Sequence, residues 1–163
     1  MALTDPDLRL EDRWLLNRIC ATAADCNEHY ARRRLNDAAH AAFSFFRHEL
    51  CDWYLEAIKP RLRDEARRGP AVEVAVLALG LSYKLLHPVM PFITEELWDA
   101  LPPAGGFVMA SAYPVCEPAA PFAADAATFA EIMELTGAVR NIRGELNVPP
   151  GRRGRAILRV GAE

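Results

Sequence analysis

Lysine is almost missing from this 163-residue chain: Lys59 and Lys84 are the only two, against 17 arginines. With 28 alanines, that bias is what a GC-rich genome would also produce, so the arginine excess alone does not argue for a nucleic-acid partner. Long hydrophobic runs are also missing. The richest stretch, residues 71–81, contains Glu73 and falls short of the ~18 apolar residues that a bilayer span needs. Residues 1–6 (MALTDP) have neither a basic nor an apolar region of the signal-peptide kind, so the expectation is a soluble, cytoplasmic chain with no membrane partner. The four cysteines, Cys20, Cys26, Cys51 and Cys116, form no Cys-x-x-Cys, and the four histidines form no His-Glu-x-x-His. His48 and Asp52 are spaced for one helix face, but two ligands make a poor site and no metal is expected. Gly-x-Gly-x-x-Gly, the Walker loop and Gly-x-Ser-x-Gly are all absent, which leaves no signature of a nucleotide fold or an activated serine.

What is present is ordinary globular composition, 52% hydrophobic and 25% charged, with charge of one sign gathered at one end. Residues 140–163 hold six arginines (Arg140, Arg143, Arg152, Arg153, Arg155, Arg159) against Glu145 and Glu163, a surplus of four positive charges. The other 139 residues must then carry seven net negative charges to give the total of −3. A basic end on an acidic body can orient a polyanion.

The helix signal dominates. Leu16, Ile19, Ala23, Cys26 and Tyr30 recur at three- and four-residue steps and predict a helix over 11–33. Asn36 or Asp37 can cap a second helix, with the stripe Ala38, Ala42, Phe45/Phe46, Leu50, Trp53, Ala57 running to Lys59. On that stripe Trp53 faces the core, and Tyr54 lies beside it, placed to stack on a base. Gly69-Pro70 is read as a break, and residues 71–86 as a third helix, apolar nearly all round and therefore central. His87-Pro88 ends it, and Pro91 opens a short helix to about 101. Residues 102–124 carry five prolines besides Gly105 and Gly106, and read as an extended connector with one strand over 107–113. A fifth helix over 125–147 turns Phe129, Ile132, Met133, Val139, Ile142 and Leu146 inward. Val148-Pro-Pro-Gly151 breaks it, and residues 155–160 read as a short strand.

On the fifth helix, Arg140, Arg143 and Asn147 fall at i, i+3 and i+7, on one face, just before the basic turn of Arg152 and Arg153. Guanidinium groups donate in a planar fork that suits phosphates. The same spacing also suits a solvated face paired with carboxylates, and composition does not separate the two readings.

Three strings stand in order: Phe45-Phe46-Arg-His-Glu-Leu-Cys51-Asp52-Trp53-Tyr54-Leu55-Glu56; His87-Pro88-Val-Met90-Pro91-Phe92-Ile93-Thr94-Glu95-Glu96-Leu97-Trp98; and Val139-Arg140-Asn141-Ile142-Arg143-Gly144-Glu145-Leu146-Asn147-Val148-Pro149-Pro150. Together they closely resemble the anticodon-binding region of valyl-tRNA synthetase, a class I aminoacyl-tRNA synthetase. The related isoleucyl and leucyl enzymes share the Glu-Glu-Leu/Val-Trp idea. The resemblance implies a mainly α fold: an up-and-down helical bundle over 8–101, a Pro-rich connector over 102–124, and a truncated stem-contact helix and strand over 125–163.

It further implies recognition of the anticodon arm of valine tRNA within a valine–tRNA ligase, whose complete form uses ATP to attach valine. Catalytic, editing and coiled-coil regions of that enzyme would be the protein partners, and DNA would not be one. Neither His-Ile-Gly-His nor Lys-Met-Ser-Lys-Ser occurs, and the family's Asn-rich opening helix is not found. The chain is therefore expected to be a catalytically inactive fragment without catalytic residues or a cofactor of its own. The tRNA-binding set is then Arg140, Arg143, Asn147, Arg152 and Arg153, with Arg32, Arg33, Arg34 and Tyr54 as a second set. The alternative is a helical protein-interaction module or paralogue, or the equivalent region of an isoleucyl- or leucyl-tRNA synthetase.

Overall fold

The computed structural model describes residues 7–102, 105–116, 122–149, 151–155 and 157. The chain is mainly helical and divides into two units, one reaching to Phe129 and the other starting at Ala130.

In the first unit, α1 (Leu10–Ala31) opens with Asp12 in its first turn, where the Oδ2 atom accepts the Arg9 backbone N–H at 2.9 Å. This is half of a capping box. The expected stripe is found: Leu16, Ile19, Ala23 and Cys26 are buried, and Trp14 and Leu15 widen it. Next come α2 (Leu35–Ser44), a π-helical stretch (Phe45–Tyr54) and α3 (Leu55–Leu62), which follow one another without a break. The helix starts one to two residues before the Asn36 or Asp37 caps read from sequence, and Asp37 sits in its first turn instead.

The π stretch corrects the expected stripe. A π turn takes one residue more than an α turn. The buried positions accordingly step from Ala38 and Ala42 through Phe45 by five to Leu50, then to Tyr54, Ile58 and Arg61. Tyr54 and Ile58 thus occupy the inward face assigned to Trp53 and Ala57, both of which are only half-buried.

Gly69-Pro70 does not start a helix. α4 runs Glu65–Leu86, with Asp64 as its N-cap accepting the Ala66 N–H at 3.1 Å. The cap, six residues upstream of Pro70, outcompetes the proline as the starting signal. Pro70 deprives only the Ala66 carbonyl of its donor, and Ala66 is exposed to water. At 22 residues α4 is long and apolar enough to cross a membrane. Its Ala71, Val74, Ala78, Tyr83, Leu85 and Leu86 are nevertheless buried, and the helix packs on α1, α2 and α3. It is not covered all round, since Val72 and Leu77 remain 39% and 40% exposed. The helix ends at Leu86, ahead of His87-Pro88 as expected.

α5 (Pro91–Asp99) carries Pro91 in its first turn. Residues 107–113 are not a strand. The Glu95 carboxylate accepts the N–H groups of Val108 (2.8 Å) and Met109 (3.4 Å), and a 3₁₀ turn, Val108–Ala110, grows from that anion-held start. No strand is found among the described residues. The expected strand at 155–160 falls largely outside them, since 156 and 158–160 are not described. Beyond the 3₁₀ turn, Asn27 Nδ2 donates to the Pro114 carbonyl at 2.8 Å, and Tyr113 meets Tyr30 edge-on at 5.8 Å, so this segment is strapped along α1. α6 (Ala123–Glu145) enters with Phe129 stacked on Trp14 at 4.6 Å.

In the second unit, the remainder of α6 corrects another expectation. Ile132, Ile142 and Leu146 are 44%, 55% and 70% exposed, and Phe129 is the one buried residue of the helix. The apolar spacing is present, but among the described residues of this unit no further helix lies over it.

Candidate nucleic-acid interface

The C-terminal end of α6 is shaped by backbone geometry. Asn147 adopts φ +51°, the left-handed region. Its N–H donates to Gly144 O at 3.1 Å, and the Val148 N–H donates to Arg143 O at 2.9 Å. This paired pattern satisfies the last carbonyls of a helix and turns the chain back, and asparagine is one of the few residues besides glycine that enters it readily. The sequence reading placed Asn147 on the stripe of Arg140 and Arg143. It does not lie on that stripe: α6 ends at Glu145, and Asn147 acts through its backbone as the turn residue.

A second turn follows. The Arg152 N–H donates to Pro149 O at 3.0 Å, and Arg143 reaches forward so that Nη2 donates to Pro149 O at 2.8 Å and to Arg152 O at 3.0 Å. Arg143 is half-buried, while Arg140, Arg152, Arg153 and Arg155 are exposed. Arg140 and Arg143 share a helix face by their spacing on α6. Cationic forks thus stand on the end of α6 and on the braced turn after it, suited to holding the oxygens of a polyanion.

The second set lies in the first unit, and the same device appears there. Arg33 has φ +60°; its N–H donates to Tyr30 O at 2.9 Å, and the Arg34 N–H donates to His29 O at 2.8 Å. Among the described residues, Arg33 and Asn147 are the non-glycine residues in the left-handed region, and each stands in an arginine cluster that the sequence singled out. Arginine holds this conformation at a cost on the order of 1 kcal/mol, which glycine would avoid. Arg32 pairs with Glu28 at 2.8 Å, and Arg34 lies 3.7 Å from Asp37. All three arginines are exposed, and these pairs hold them only weakly.

Tyr54 does not belong to an interface. It is 0% exposed, and its hydroxyl donates to Asp12 Oδ1 at 2.8 Å. The π register is the reason: it rotates Tyr54 inward, leaving no ring face for a base. Tyr54 instead belongs to a buried polar group that sequence reasoning missed. Arg61 Nη1 donates to Asp12 Oδ2 at 2.7 Å and to Glu11 Oε1 at 2.9 Å, with Asp12 0% exposed. Burial first, and the Asp12 charge second, push the Tyr54 phenol well above its ordinary value. This group ties α1 to α3 and offers no open face for chemistry. His48 Nδ1 lies 3.1 Å from Asp52 Oδ2, both exposed. Among the described residues no three His, Cys, Asp or Glu side chains gather as a metal-ion site.

Compared with known proteins, residues 12–158 match the family described as the anticodon-binding domain of tRNA ligase. The chain is 42% identical over 160 residues to a valine–tRNA ligase of Geobacter sulfurreducens, covering 96% of this chain and 18% of that protein. It is 40% identical over 161 residues to the valine–tRNA ligase of Syntrophotalea carbinolica, with the same coverage. The valine–tRNA ligase of Thermotoga maritima is 36% identical over 153 residues, covering 94% of this chain and 18% of that protein. The chain thus spans about a fifth of the length of these relatives.

Proposed function

The chain belongs to the family of anticodon-binding domains of tRNA ligases, and from that premise we propose that it receives the anticodon arm of valine tRNA within a valine–tRNA ligase. In this reading the module does no covalent chemistry. It supplies binding energy and orientation, so that the acceptor end of the tRNA reaches an active site built by other parts of a cytoplasmic enzyme. Those parts would bind ATP, activate valine and edit mischarged tRNA. The observation that carries the proposal is the set of exposed arginines, Arg140 near the end of α6 and Arg152 and Arg153 on the braced turn after it, inside the stretch that matches the family.

Phosphate contacts from such a set fix the register of the RNA, while unstacked loop bases carry the sequence information. Arg32, Arg33 and Arg34 form the second cationic cluster offered to the same arm. The test is a binding titration of this chain with transcribed valine tRNA and with the same transcript altered in its anticodon loop. Weaker binding of the altered transcript supports the reading; equal binding of both contradicts anticodon recognition by this chain.

One observation favours a protein-interaction module instead. Phe92, Phe107 and Met109 are 91%, 65% and 78% exposed and lie together beside His87 and Glu95. An apolar surface of this kind suits protein better than phosphate. A chain that fails to bind either transcript would move the reading there.

A further inference from the structure

Arg143 differs from the other arginines of the basic end. Its neighbours Arg140, Gly144, Glu145 and Leu146 are exposed, whereas Arg143 is half-buried, folded over the turn that follows its own helix. Its Nη2 donates to Pro149 O (2.8 Å) and to Arg152 O (3.0 Å), nine residues along the chain. The left-handed Asn147 reverses the chain so that these carbonyls come within reach. The Arg152 N–H then closes the turn on Pro149 O at 3.0 Å. Residues 143, 149 and 152 are thereby tied together, and Arg152 and Arg153 leave the turn at its fixed end.

We infer that Arg143 is a positioning residue for RNA binding: its guanidinium clamps the turn after α6 and sets the direction in which Arg152 and Arg153 meet phosphates. The inference rests on the reading that this turn faces tRNA. The chemistry favours arginine for the task. Both bonds leave one nitrogen, Nη2, whose two N–H groups are held in the guanidinium plane and so point in fixed directions, whereas an ammonium is a compact, strongly hydrated point charge whose N–H groups rotate. Ordering the turn before binding also removes part of the entropy that two long side chains and a flexible loop would otherwise lose on association. A residue that only met phosphate would turn its guanidinium outward and would have no reason to fold back onto the carbonyls of its own chain.

The experiment is a double-mutant cycle in this chain, with transcribed valine tRNA at fixed salt: wild type, Arg143→Ala, Arg152→Ala/Arg153→Ala, and all three together. The clamp predicts that Arg143→Ala weakens binding about threefold or more in the wild-type background and has almost no effect once Arg152 and Arg153 are gone. Coupling of this kind is expected for side chains that act through one network. An equal loss in both backgrounds would overturn the inference and make Arg143 an independent phosphate ligand. Arg143→Lys keeps the charge and removes the in-plane pair of N–H groups on Nη2, so it should bind like Arg143→Ala; a lysine variant with wild-type affinity would also overturn it.

A second arm needs no RNA. ¹⁵N relaxation should show residues 151–153 becoming more mobile in Arg143→Ala while the α1 amides are unchanged, and an unchanged turn would refute the clamp itself. If Arg152→Ala/Arg153→Ala leaves tRNA binding intact, the tRNA reading of the turn fails. The relaxation arm then still decides whether the clamp exists.

Discussion

Arg61 and Arg152 carry the same side chain into opposite surroundings. Arg61, at the end of α3, is held between Glu11 and Asp12 with its side chain 8% exposed. Arg152 stands exposed on a turn, its carbonyl gripped by Arg143. In the unit reaching to Phe129, several helices pack on one another, and a buried guanidinium needs carboxylates beside it. In the unit starting at Ala130, a helix end and a turn bury little, Arg143 holds backbone carbonyls, and Arg152 and Arg153 are exposed. The contrast separates arginines that keep the fold together from arginines available to a partner.

The contrast breaks most visibly at Arg61. Arg61→Ala leaves Asp12 buried without its countercharge and should lower the unfolding free energy by about 3–5 kcal/mol, the range for breaking a buried ion pair. Arg152→Ala should stay within about 0.5 kcal/mol. Urea titrations followed by circular dichroism would show both, and equal effects would erase the distinction. Next in size, Ile58→Ala, on the inward face set by the π stretch, should cost about 2–4 kcal/mol. Ile142→Ala, 55% exposed on α6, should cost well under 1 kcal/mol. If the two costs are alike, the π register or the bare face of α6 is wrong.

A pH series sharpens the same comparison. The Tyr54 phenol is held above its ordinary value of 10 by burial and by the Asp12 carboxylate. The folded chain therefore keeps a proton that the unfolded chain loses, and stability falls as pH rises above about 10. The limiting slope from this one group is about 1.4 kcal/mol per pH unit. Tyr54→Phe should remove that share of the alkaline loss, read as a shallower decline in stability between pH 10 and 11. A smaller effect, of opposite sign, is expected at Arg33, where Arg33→Gly should stabilise the chain by roughly 0.5–1 kcal/mol by relieving the left-handed backbone. A destabilised glycine variant would mean that the Arg33 side chain contributes to the fold.

Much of this was legible in the sequence because it is local. The three- and four-residue steps of α1 and the stop at His87-Pro88 depend on neighbouring residues alone. Asn147 is local too, but its spacing from Arg140 and Arg143 reads as a helix stripe, and the left-handed turn that it makes shows only in the backbone. The rest depends on partners far along the chain. The π stretch changes the period in the middle of a helix, so the stripe begun at Ala38 holds as far as Leu50 and then exchanges Trp53 with Tyr54. Asp12 and Arg61 are 49 residues apart, and nothing beside either predicts the pair. The apolar run at the start of 107–113 reads as a strand because the carboxylate that bends it, Glu95, comes from another element. The Ile132, Ile142 and Leu146 spacing declares a face but cannot say what covers it.

The central claim, that the exposed arginines at the end of α6 and on the turn after it meet RNA phosphates, is tested most directly by the salt dependence of tRNA binding. With Arg140, Arg152 and Arg153 each displacing up to one counterion, the slope of log affinity against log salt should be on the order of −2 to −3, at roughly 0.7–0.9 per phosphate. Arg152→Ala/Arg153→Ala should flatten it by about 1 to 2 units, equally for valine tRNA and a non-cognate tRNA, because phosphates carry no sequence information. An unchanged slope, or a loss confined to valine tRNA, would contradict the claim.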